Sequence, residues 1–82
     1  MPKLYKVLSA KEVVKILENI GFVFRNQTGS HINMYKIVEG KSYLATIPNH
    51  KPIRLGTLAA IYKQILEIPD IDVDALDKEF KN

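Results

Sequence analysis

Between Gly21 and Pro48 the chain reads as three short β-prone runs separated by glycine turns. Phe22-Val23-Phe24-Arg25-Asn26-Gln27 is aromatic and β-branched, then polar. Thr28-Gly29-Ser30 is a turn, His31 to Val38 reads as a second strand, and Glu39-Gly40 turns the chain again into Ser42 to Ile47. Runs this short, joined by turns this tight, pair as an antiparallel meander. In the central run, His31, Asn33, Tyr35 and Ile37 fall on one face, and Ile32, Met34, Lys36 and Val38 on the other. Pro48 and Pro52 end the sheet and bracket a loop holding Asn49, His50 and Lys51.

A lone three-stranded sheet must bury one face, and the flanking sequence supplies the cover. Ser9-Ala10-Lys11-Glu12 is a capping box that opens a helix from about Ala10 to Ile20. Its apolar stripe is Val13, Ile16, Leu17 and Ile20, and Gly21 stands at the C′ position. Leu55, Leu58, Ile61, Tyr62, Ile65 and Leu66 give a second helix over about 54–66, which Pro69 breaks. Asp72 caps a last short helix with Val73, Leu76 and Phe80 on one face. The expected architecture is α+β, in the order α-β-β-β-α-α. One small domain over residues 1–82 has a three-stranded antiparallel sheet with helices packed on one face, and Leu17, Ile20, Leu58 and Ile61 buried. The other sheet face is left for solvent and for polar chemistry.

With 82 residues and no cysteine, such a domain has one modest core, no disulfides, no thiolate nucleophile and no cysteine-based metal site. Two histidines with few well-placed carboxylates argue against a metal centre, and no metal or other cofactor is expected. Met1-Pro2-Lys3-Leu4-Tyr5-Lys6 lacks the apolar region of a leader, and no apolar run would span a membrane, so the expected address is the cytoplasm. Charge is unevenly spread. Residues 1–65 carry ten basic against three acidic side chains, net +7, whereas residues 66–82 carry two against six, net −4. A basic body suits a polyanion such as RNA, although lysine-rich surfaces also serve solubility alone.

The candidate chemistry lies in Gly29-Ser30-His31 and in Ile47-Pro48-Asn49-His50, which hold the two histidines. Imidazole exchanges a proton near neutral pH without elaborate tuning. A Gly-Ser turn before a strand is ordinary hairpin chemistry, so the tripeptide alone assigns nothing.

The element order is that of the double-stranded-RNA-binding domain, and the chain resembles the HicA toxin family, the mRNA-cleaving half of HicA–HicB toxin–antitoxin pairs. Gly21-Phe22, Gly29-Ser30-His31, Ile47-Pro48-Asn49-His50 and Gly56-Thr57-Leu58 with Ile61 and Lys63-Gln64 carry the resemblance, over about residues 12–80. It implies a metal-independent endoribonuclease with His31 as catalytic residue, mRNA as substrate and a HicB-like antitoxin covering the site. One departure stands out. The family usually has an arginine five residues before the histidine. Here Asn26 takes that place and Arg25 lies one residue earlier, either because the first turn is longer or because Arg25 points to the other face.

RNA carries its own nucleophile, the 2′-hydroxyl, so cleavage needs a base, an acid and positive charge at the phosphorus. His31 suits the base or the acid. Gly29 lets backbone approach a phosphate, and the Ser30 hydroxyl with nearby N–H groups can donate to its oxygens. Lys36, Lys51 and Arg54 are candidate backbone contacts at the same edge. His50 is read first as a substrate-binding or loop-bonding residue and second as a proton-transfer group. Tyr35 and Asn33 share the His31 face and suit base stacking or hydrogen bonding. The alternative function is a non-catalytic RNA-binding module of the same fold, which has no need of Gly-Ser-His. A third is a protein–protein adaptor without RNA affinity.

Overall fold

Both hairpin turns are built on left-handed backbone. Gly29 has φ +58° and is the only left-handed residue of the two-residue loop Gly29-Ser30, as in a type II′ turn. Glu39 at φ +52° and Gly40 at φ +80° together make the second loop of the type I′ kind. These loops match the right-handed twist of the strands they join. They set the sheet β1 (Val23–Thr28), β2 (His31–Val38) and β3 (Lys41–Pro48), antiparallel, in the order β1-β2-β3.

This computed structural model describes residues 5–82, so Met1 to Leu4, part of the segment expected to carry no leader, lie outside it. Three helices complete the described residues: α1 (Ala10–Asn19), α2 (Leu55–Leu66) and α3 (Val73–Phe80). The capping box at α1 is formed in full. The Ser9 hydroxyl accepts from the Glu12 N–H at 3.3 Å, and Glu12 Oε1 accepts from the Ser9 N–H at 2.9 Å. That second bond, with the serine hydroxyl, holds the Glu12 carboxyl below its ordinary pKa. Asp72 caps α3 by accepting from the Ala75 N–H at 3.2 Å.

Met34, Ala45 and Ile47 bury one sheet face against Val13, Ile16 and Leu17 of α1 and Leu58, Ile61 and Ile65 of α2. The antiparallel sheet with helices on one side is thus the expected one. Ile20 is only half-buried, because it is the C-cap of α1 rather than its last turn. Leu76 and Phe80 of α3 join the same core. Both ends of the described chain are tied together: Tyr5 bridges to Lys81, and the Lys6 N–H donates to the Phe80 carbonyl at 2.8 Å. Among the described residues no helix is long and apolar enough to cross a membrane.

Candidate functional site

His31 opens the central strand, opposite Thr28 on β1 and Pro48 on β3. Its side chain is exposed and shares the uncovered face with Asn33, Tyr35 and Ile37. The tight Gly29-Ser30 loop therefore presents an imidazole at one end of the sheet, on the side opposite the helices. Nothing lies within 4 Å of the position a Gly29 Cβ would take, so the turn is open to approach.

The loop after β3 comes to the same end. The Asn49 N–H donates to the Ser30 carbonyl at 2.6 Å, which pins the loop to the His31 turn. The His50 N–H donates to the Pro48 carbonyl at 2.8 Å, and the His50 carbonyl accepts from the Ala10 N–H at 3.1 Å. The backbone of His50 thereby joins this end of the sheet to the start of α1. Its exposed side chain lines a shallow depression with Ser9, Lys11, Asn49 and Lys51. Arg54 follows as the exposed N-cap residue of α2, with no side-chain cap bond. Gly29, Ser30, His31, His50 and Lys51 are thus brought to one end of the molecule, with Arg54 a short step further along the chain.

Lys36 does not join them. It lies on the helix-covered side of β2, with its side chain only 16% exposed. Its Nζ donates to the Ile20 carbonyl at 2.7 Å and lies 3.5 Å from Asp70 Oδ1. The expectation of Lys36 as a backbone contact beside His31 is therefore corrected. The strand alternation that exposes His31 sends Lys36 the other way, and its charge is engaged at the end of α1.

Arg25 follows neither of the two paths open to it in the sequence. The turn is not lengthened, and the side chain is not on the helix side. Phe24 pairs with Met34 and Asn26 with Asn33, so Arg25 is an extra residue in a β-bulge. It borders one depression with Tyr35 and Ser42 and another with Asn33 and Thr46, which places it on the His31 face. Sequence reading also missed a bonded row across that face. Asn33 Nδ2 donates to Asn26 Oδ1 at 2.7 Å, and Thr46 Oγ1 donates to Asn33 Oδ1 at 3.1 Å. Polar residues at matching register on three strands were the available signal.

No polar or charged side chain is buried among the described residues, so any chemistry here is surface chemistry. Nor does any group of three or more His, Asp or Glu side chains among them converge to hold a metal ion. No curated protein and no solved structure matches the chain significantly. The family model described as HicA toxin of bacterial toxin-antitoxin does match, over residues 10–66, which takes in α1, the whole sheet and α2. With well over half its length matched, the chain belongs to the HicA toxin family of bacterial toxin–antitoxin systems.

Proposed function

We propose that this toxin is an endoribonuclease that cleaves mRNA with His31 as its catalytic residue and that a HicB-like antitoxin restrains it. The observation that carries this reading is the exposed imidazole of His31, held by a tight glycine turn at one end of the uncovered sheet face. In the reaction, the 2′-oxygen forms a bond to the adjacent phosphorus while the bond from phosphorus to the 5′-oxygen breaks. The 2′-hydroxyl proton leaves to a base, and the 5′-oxygen receives a proton from an acid. His31 carries one of these two transfers, the role imidazole most often fills in general acid–base catalysis. The Ser30 hydroxyl and the N–H groups of the Gly29 turn donate to the phosphate oxygens. Lys51 and Arg54 hold the RNA backbone, and His50 sits beside them as a substrate-binding group. No step requires a metal ion.

The test uses purified protein and an mRNA transcript. His31→Ala should lower the cleavage rate by roughly 10²–10⁴-fold, the usual loss for a general acid or base. Its circular dichroism spectrum and melting temperature should stay near those of the parent. Wild-type cleavage should survive a chelator. A folded His31→Ala variant that cleaves at the parent rate removes His31 from the chemistry. Binding of RNA with no cleavage by the parent would leave the chain a binding module.

A further inference from the structure

The uncovered sheet face is organised in rows running across the strands, one after another from the His31 end. The first row is Thr28–His31–Pro48, and the second is Asn26–Asn33–Thr46. The third is Val23–Tyr35–Leu44, with the bulged Arg25 between the second and third rows at the β1 edge. Two residues along a strand separate neighbouring rows, about 7 Å at ordinary strand rise.

The middle row is bonded end to end. Asn33 gives a proton to Asn26 and takes one from Thr46, which leaves it one N–H and one lone pair. Asn26 uses its oxygen, so its Nδ2 donors are uncommitted among the described residues. Arg25, which has donors only, stands next to it. The β1 end of the row is therefore a patch of donors. Water would satisfy exposed groups of this kind equally well, so the row contributes little to folding. What it does is hold the donors in place. The depression over Arg25, Asn26, Asn33 and Thr46 has a volume of about 320 Å³, at the small end of ligand pockets.

We propose that this row reads one base of a single-stranded RNA next to the phosphate held at His31. Asn26 donates to the base, Leu44, which lines the same depression, lies against its ring and Arg25 holds its phosphate. A donor aimed at C4 of a pyrimidine pairs with a carbonyl oxygen there and finds no acceptor in an amino group. The inference rests on the reading of the chain as an RNA-cleaving toxin, and it names the kind of RNA and the base class taken.

The cleanest pair of probes is short 2′-O-methyl oligouridylate and oligocytidylate. Neither can be cut through the 2′-oxygen, and their bases share the C2 carbonyl while differing in a carbonyl against an amino group at C4 and an N–H against a bare nitrogen at N3. In low-salt anisotropy titrations the wild-type protein should bind the uridine oligomer about tenfold more tightly, the low end of a good base contact. Asn26→Ala, and separately Asn33→Ala, should bring the two affinities within about twofold, because the donor is lost or released from its place. Equal binding of both oligomers by the parent overturns the base-reading row, as does an undiminished preference in folded Asn26→Ala. Absence of binding to either oligomer overturns both the row and the RNA reading. An intact preference combined with full cleavage by His31→Ala would leave the row standing while removing His31 from catalysis.

Discussion

Lys36 shows how one side chain can belong to the fold while looking like part of a binding surface. Its stem runs past Gly21, where an added Cβ would come within 3.2 Å of Lys36 Cε, and its ammonium reaches the Ile20 carbonyl. Gly21 is needed there for its φ of +103°, and an added Cβ would also push the lysine stem aside. The lysine thus satisfies a carbonyl at the end of α1 that the helix itself leaves unpaired. Lys36→Met keeps most of the stem and removes the donor. Chemical denaturation should show a loss of about 1 kcal/mol, the usual net value of such a bond. RNA affinity and its salt dependence should not change. Stability equal to the parent would show that the Ile20 bond contributes nothing.

The elements themselves were legible because their signals are local. A capping box, two glycine turns and two apolar stripes fix where α1, the hairpins and α2 begin and end, and each signal acts over a few residues. His31 was legible for the same reason, since a turn and a two-residue alternation decide its face. The bulge at Arg25 was not. Which residue is squeezed out of a ladder depends on how β1 fits the β2 register, and nothing in the local run of Val23 to Thr28 decides it. Lys36 misled although alternation already set it opposite His31, because its partner, the Ile20 carbonyl, is no local signal. The β2–β3 turn holds a further consequence at this scale. Glu39 adopts φ +52°, a conformation that costs most residues energy and that asparagine tolerates better. Glu39→Asn should therefore stabilise the protein by roughly 0.5–1 kcal/mol, read as a higher denaturation midpoint at unchanged m-value. A lower midpoint would mean that the glutamate makes a contact in solution that offsets its backbone cost.

At the scale of the molecule, the acidic tail has partners of its own. The acidic C-terminal stretch is folded into the helical layer. Asp77 accepts from the Tyr62 hydroxyl and lies 3.9 Å from Lys81 Nζ, and Asp70 faces Lys36. Tyr62 is correspondingly held above its ordinary pKa, first by that bond to Asp77 and then by burial. Neutralising Asp77 would disturb the core side of α3, so Asp74, exposed in its first turn, is the proper control for the tail. Lys51 and Arg54 lie in the basic stretch running from the His31 end of the sheet into α2, and phosphate contacts there carry a counterion signature. Each contact with a single strand adds about −0.7 to the slope of log affinity against log salt, so Lys51→Ala with Arg54→Ala should flatten the slope by about 1.4. Asp74→Asn should leave both slope and cleavage unchanged. Binding titrations over a range of salt concentrations separate the cases. A flattened slope in the double variant alone places the RNA backbone along residues 51–54. An unchanged slope there would move the phosphate track off this segment and onto the β1 edge, where Arg25 is the exposed cation of the His31 face.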